Sequence, residues 1–344
     1  MKTEPIGLAL VGCGRISAAH LSAVAKLDPA FRLVVTVDPD LTAAQAAAEP
    51  FGASAFADVP EALTQPGIDA VLIASPNGMH FEQARMAIAA GKHVLVEKPL
   101  AETGAQALQL SEAAAAAGVI LAAGHTFRHG AAVRTLMERL PDFGKLLSIE
   151  VSQCVFWDGP QAPWWAERTP EDGLILSLFA PHALDFVQLV MGAADPLRMH
   201  VEAARHQTGW QAEDEAMMLF AYPDRKMATV HISYNQPHVH DRKTLFFDKG
   251  VAVIEDGELL RWNGESLVEP AAGVLTDSSK MGGRDLSHYF SAQLSEFAKA
   301  VRGESHCCPT GHDSARLIEL LDRVREQALL NSADAIRAES EEEN

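Results

Sequence analysis

The sequence is poor in cysteine and in positive charge, and it has no long apolar run. Only four cysteines, Cys13, Cys154, Cys307 and Cys308, occur in 344 residues. One lies in a glycine-rich turn and two are adjacent, so they form no disulfide framework and fit a reducing cytoplasm. Lys and Arg number 28 against 46 Asp and Glu, a formal net charge of −18. Phosphate backbones require a basic footprint, so nucleic acid is not an expected partner. No stretch of about 18 apolar residues occurs, so no membrane span is expected. Met1-Lys2-Thr3-Glu4-Pro5 leads straight into a strand-like run, without the apolar region and cleavage site of a signal peptide. There is no internal repeat. What is present is globular composition, 48% hydrophobic and 22% charged, in a chain long enough for two domains.

The first half alternates between strands and helices. Ile6 to Val11 is an apolar strand, followed by Gly12-Cys13-Gly14-Arg15-Ile16-Ser17 and a helical stretch from Ala18 to Leu27. Strand, glycine turn and helix in that order form a dinucleotide fingerprint. Gly12 permits the tight turn, and Gly14 lets backbone approach a pyrophosphate at the positive helix N-terminus. Gly12, Gly14, Arg15 and Ile16 are therefore cofactor-binding candidates. The third glycine is replaced by the small Ser17. The next strand, Phe31 to Val37, ends at Asp38. An acid there accepts hydrogen bonds from ribose hydroxyls and repels a 2′-phosphate, so NAD is preferred over NADP. The competing reading makes Asp38-Pro39-Asp40 an ordinary turn with a helix cap.

Further strands are expected at Ile68 to Ala74, His93 to Glu97 and Val119 to Ala123, with helices between them. Such alternation means an α/β domain with a parallel, doubly wound sheet. Ser75, Asn77 and His80 follow a strand end, where they would border a nicotinamide; His80 equally suits a helix cap. Val94-Leu95-Val96-Glu97-Lys98-Pro99 is a buried strand stopped by proline. Glu97 and Lys98 thus fall at the carboxyl end of a parallel strand, where open α/β sheets hold ligands. A lysine there can donate to a substrate oxygen, and burial can tune it for proton transfer.

After residue 124 the pattern changes. Leu146 to Phe156, Leu197 to Arg205, Glu215 to Tyr222, Met227 to Tyr234, Lys243 to Phe247, Val251 to Glu255 and Glu258 to Trp262 read as successive strands, with turns between several of them. Trp157 to Glu171 reads as a loop, and two helices close the chain. The expectation is a second, α+β domain with a mostly antiparallel open sheet. The division expected is residues 1–124, 125–338 and an acidic, solvated tail, 339–344. Pro181 suits the first turn of a helix carrying His182 and Asp185 on one face. Taken alone, His182 is more often a satisfied core histidine than a catalyst.

Four segments together resemble the Gfo/Idh/MocA family of oxidoreductases: the glycine turn, Ser75-Pro76-Asn77-Gly78-Met79-His80, Gly91 to Leu100 with its Glu97-Lys98-Pro99, and Pro181-His182-Ala183-Leu184-Asp185. Pro309-Thr310-Gly311-His312-Asp313 before the last helix is also similar. The resemblance covers nearly the whole chain. It implies a Rossmann domain, a second domain whose sheet often builds a dimer or tetramer interface, and NAD(P)-dependent oxidation or reduction of sugars, polyols or related hydroxy compounds. It also implies that Lys98 hydrogen-bonds the reacting oxygen and that His182 exchanges the proton. Many members carry an aspartate four residues before that histidine; here the position is Leu178. The departure keeps a second reading open, a catalytically silent regulatory protein that binds NAD and a sugar.

Weaker candidates are Arg128, for substrate or a surface ion pair, and Trp165, for sugar stacking or packing beside Trp164. His238 and His240 lack partners at metal-ligand spacing and read as a solvated face, so no metal site is expected.

Overall fold

The computed structural model describes residues 4–160, 163–192, 194–270 and 287–342; within these, the side chains of Pro163, Trp164, His238, Val239 and residues 332–342 lie outside the description. Contacts divide the chain into two compact units, Met1–His129 with Leu286–Ile318, and Gly130–Asp285 with Glu319–Asn344.

The first unit alternates β1 (Ile6–Val11), α1 (Ser17–Lys26), β2 (Phe31–Val37), α2 (Leu41–Ala48), β3 (Ser54–Phe56), α3 (Val59–Leu63), β4 (Ala70–Ile73), α4 (His80–Ala89), β5 (His93–Glu97), α5 (Gly104–Ala117) and β6 (Leu121–Gly124). Its six strands pair in parallel in the order β3-β2-β1-β4-β5-β6. This is the doubly wound order, and the chain reverses direction across the sheet between β1 and β4. Both sheet faces are covered, which is why the strands read as unbroken apolar runs. Val94 and Val96 pack into a core with Ala84 and Ile88 of α4 and Leu110 of α5. Leu95, between them, points into the opposite core with Val24 of α1.

Local chemistry sets the element ends. The Asp40 carboxylate accepts from Thr42 N–H at 2.9 Å and caps α2. Thr103 Oγ1 accepts from Gln106 N–H at 3.2 Å to start α5, and Gly118 at φ 66° ends it.

The second unit contains α6 (Ala131–Arg139), β7 (Leu146–Phe156), α7 (Pro163–Ala166), α8 (Ile175–Leu178) and α9 (Ala180–Val190). Then come β8 (Arg198–Ala204), β9 (Glu215–Ala221), β10 (Met227–Ser233), β11 (Asn235–Phe247), β12 (Gly250–Glu255), β13 (Leu259–Trp262) and β14 (Glu265–Val268). The chain closes with α10 (Ser287–Val301) and α11 (Gly311–Glu342). The eight strands run β14-β13-β12-β11-β7-β10-β9-β8, antiparallel except for the β7–β10 pair. Alternation along β9 and β10 buries Met218, Phe220, Val230 and Ile232 while Met217, Leu219 and Met227 stay exposed. α9 packs against β7 and β10.

Four features differ from the sequence reading. The segment 157–171 contains the one-turn helix α7, begun by Pro163. The short strand β14 adds to the sheet edge beyond β13. Residues 286–318 return to the first unit, because Phe290, Leu294 and Phe297 form one apolar stripe of α10 that fills the core beside α1. Helical backbone continues through the acidic tail to Glu342. Among the described residues no helix is long and apolar enough to cross a membrane.

Candidate active site

The first unit gathers its candidates at the carboxyl ends of β1, β2, β4 and β5. Gly12 sits at φ +89°, and a Cβ there would lie 2.5 Å from the backbone nitrogen of Ser75. Only glycine lets the β1 turn pass this close to the turn after β4. A Cβ on Gly14 would meet nothing within 4 Å, so that backbone is open to a ligand. Ser17 Oγ donates to Gly14 O and fastens the turn to the first residue of α1. Arg15 and Ile16 are exposed on the same turn.

The capping role weighed for this turn falls to Asp40. Asp40 caps α2, while one oxygen of Asp38 accepts from Cys13 N–H at 2.8 Å and the other from Asp40 N–H at 2.9 Å. The carboxylate is thereby aimed at the glycine turn, and each oxygen keeps a lone pair for a ribose hydroxyl. These features fit a dinucleotide: an open glycine backbone, a helix N-terminus for phosphates and an oriented carboxylate for ribose. Burial, then the Asp38 charge, push the neighbouring Cys13 thiol up to about 11, so it is held as the neutral thiol.

His80 is fully buried; Nδ1 lies 2.7 Å from Pro99 O and Nε2 2.8 Å from Ser75 O. It joins the turns after β4 and β5 from the first position of α4. Ser75 Oγ donates to Gln83 Oε1, and Asn77 stands in the short turn between them.

Glu97 is the last residue of β5. Its Oε2 accepts from Lys98 N–H at 3.1 Å, and its Oε1 lies 2.8 Å from Nε2 of His20 on α1. Burial works to raise the Glu97 carboxyl, yet the His20 imidazole, the Lys98 ammonium and the Lys98 N–H together bring it below the ordinary carboxylate value. Lys98 shifts down: burial disfavours its ammonium, Glu97 opposes that, and Arg15 adds to it. A lysine whose affinity for its proton is reduced can donate to, or share a proton with, a substrate oxygen. His20 escaped the sequence reading. Its signal was the i, i+3 spacing from Ser17, which put both on the inner face of α1.

In the second unit, His182 is half-exposed in the first turn of α9, its ring edge-on to Phe179 with centroids 6.3 Å apart. Asp185 is buried on the same helix. Leu178 is buried on α8. Neighbouring Ser177 is committed to the loop: its Oγ donates to Asp172 O at 2.7 Å and accepts from Arg325 Nη1 at 3.1 Å. Glu213 Oε1 accepts from Leu174 N–H and Leu176 N–H at 2.8 and 3.1 Å, capping α8 from a distant strand connection. Burial raises the Glu213 carboxyl despite these bonds.

Trp165 is buried, tilted against Trp157 at 5.0 Å and parallel to the ring of Tyr234 at 6.4 Å. These ring contacts are those a packing role requires. The side chains of Trp164 and His238 lie outside the described residues, and His240 is exposed. Arg128 lies in the short turn after β6, its N–H donating to His125 O. Among the described residues no three His, Cys, Asp or Glu side chains are grouped to hold a metal.

Residues 6–125 match a family model described as an oxidoreductase family with an NAD-binding Rossmann fold, and residues 133–253 match the GFO/IDH/MocA C-terminal domain. The chain is 28% identical over 264 residues to a 1,5-anhydro-D-fructose reductase of Ensifer adhaerens, spanning 74% of this chain and 76% of that protein. It is 32% identical over 201 residues to a D-glucoside 3-dehydrogenase of Escherichia coli strain K12, spanning 56% of each. The crystal structure of GenD2 from gentamicin A biosynthesis, in complex with NAD, matches the fold with a TM-score of 0.80 at 22% identity, covering 96% of this chain and 95% of that one.

Proposed function

Because the chain belongs to the Gfo/Idh/MocA family of oxidoreductases, we propose that it moves a hydride between NAD and a hydroxyl or carbonyl carbon of a sugar, polyol or related cyclic hydroxy compound. The observation that carries this reading is Lys98, with its lowered proton affinity, at the carboxyl end of β5 in the sheet that also presents the glycine turn and Asp38. When bound, the nicotinamide supplies the hydride acceptor or donor. The glycine turn and α1 N-terminus hold the phosphates, and Asp38 holds the adenosine ribose and disfavours NADP. Lys98 Nζ donates to the reacting oxygen and stabilises charge that develops there. His182 takes the hydroxyl proton in oxidation and returns it in reduction.

The same reading makes the protein a cytoplasmic homo-oligomer. Its support is that all four cysteines are thiols rather than disulfides, together with the exposed apolar side chains Met217, Leu219 and Met227 on the open sheet face.

The test is NADH formation or consumption with a panel containing 1,5-anhydro-D-fructose, D-glucosides and myo-inositol, run on intact protein, Lys98→Ala and His182→Ala. Turnover should fall by about 10²–10⁴-fold in either variant while NAD binding is retained. Turnover unchanged in Lys98→Ala would remove the catalytic assignment.

A further inference from the structure

His20 has no place in the reading above, yet it is one of the most buried polar side chains of the first unit. It is 1% exposed and sits on α1, a turn past the glycine loop. Its Nε2 meets Glu97 Oε1 at 2.8 Å, across 77 residues of sequence. Its Nδ1 is buried and has no hydrogen-bond partner, so a proton there would have nothing to donate to. The ring therefore offers its useful N–H at Nε2, towards Glu97. Phe290 packs on it edge to face, with centroids 4.8 Å apart, and restrains ring rotation. Glu97 is only 9% exposed, and its second oxygen holds the Lys98 N–H.

We propose that His20 is a positioning residue for Lys98, acting through Glu97. The proposal rests on the assignment of Lys98 to the reacting oxygen, but the arrangement it invokes lies wholly within the first unit. A carboxylate buried this deeply stays ionised only when its charge is met by donors. His20 meets one oxygen and Lys98 N–H the other. Among the described residues, Glu97 and Arg15 act on the charge of Lys98, and His20 and Lys98 act on that of Glu97. Glu97 favours the Lys98 ammonium and Arg15 opposes it. Without His20 one Glu97 oxygen is buried with no donor, so the carboxyl keeps its proton into the range where Lys98 titrates; the neutral acid no longer supports the ammonium, and burial and Arg15 lower the lysine further. The same imidazole ties β5 to α1, so the pyrophosphate-binding helix and the reactive lysine share one rigid connection.

The experiment measures Lys98 itself rather than turnover. Intact holoprotein with NAD is labelled with trace acetic anhydride across a pH series, and the Lys98 peptide is quantified by mass spectrometry. In His20→Leu the labelling midpoint should fall by about one pH unit, a tenfold change in proton affinity. Glu97→Gln should lower it at least as far, and the double variant should fall no further than Glu97→Gln alone, since His20 acts only through the carboxylate. His20→Gln, which keeps an N–H donor, should restore most of the intact value and covers the case in which His20→Leu does not fold. A midpoint unmoved in folded His20→Leu, or additive shifts in the double variant, would overturn the proposal. Turnover data on Lys98→Ala address the catalytic assignment separately, so the two can fail independently.

Discussion

At the scale of single residues, the proposed cofactor face depends on how one carboxylate is held. Asp38 is fixed by backbone donors on both oxygens, one of them in the glycine turn itself. A carboxylate so held cannot swing away from a 2′-phosphate. Asp38→Ala should therefore narrow the NAD-over-NADP preference by about tenfold or more, an effect of 1.4 kcal/mol or above. Isothermal titration of both cofactors against the two proteins would show it; equal affinities in the intact protein would refute the assignment. Asp40, two residues on, instead caps α2 by accepting from Thr42 N–H and Ala43 N–H.

At the scale of elements, helix ends and sheet faces carry energies that can be checked one at a time. Thr103 caps α5 through Gln106 N–H, and the helix supplies Ala107, Leu110 and Ala114 to the core under β5. Thr103→Ala should cost about 1 kcal/mol in urea unfolding, with NAD affinity nearly unchanged. The outer face of the second sheet offers a pH test. His231 on β10 lies 3.8 Å from Cys154 Sγ on β7 and 2.7 Å from Glu215 on β9. Its hydrogen bond to Cys154, opposed by burial and helped by Glu215, pushes it up to about 9 from 6.5. A raised histidine stabilises the fold fully below its unfolded value and loses that contribution as pH rises through its folded value. The second unit should therefore weaken between pH 6.5 and about 9, by about 1 kcal/mol, since His231 and Glu215 stay partly exposed and solvent screens the pair. His231→Gln should flatten that slope in urea midpoints measured across the range. A slope of the same size in the variant would assign it to other groups.

At the scale of the whole molecule, the two sheets differ in how they meet water. The first is covered on both faces, whereas the second exposes Met217, Leu219 and Met227 on one. Under the proposed homo-oligomer, Met217→Glu with Leu219→Glu should yield monomers by light scattering after size exclusion. The first unit should still bind NAD. Assembly unaffected by both charges would move the interface elsewhere.

Sequence alone determined what short-range pattern can determine. Strand, glycine turn and helix lie within about twenty residues, and the steric demand at Gly12 is local. Unbroken apolar runs signalled a sheet covered twice, and alternating runs a sheet covered once, because side chains on a strand alternate in direction. Lys98 at a strand end and His182 in a first helical turn followed from proline placement. Only the tertiary structure decided which distant groups meet. It brought His20 to Glu97, gave α10 to the first unit, tied Ser177 to Arg325, and buried Trp165 beside Trp157 and Tyr234. Each of these depends on side-chain packing across elements, and neither residue type nor local spacing encodes the partner. Only chain folding brings such pairs within the few ångströms over which hydrogen bonds and ring contacts act.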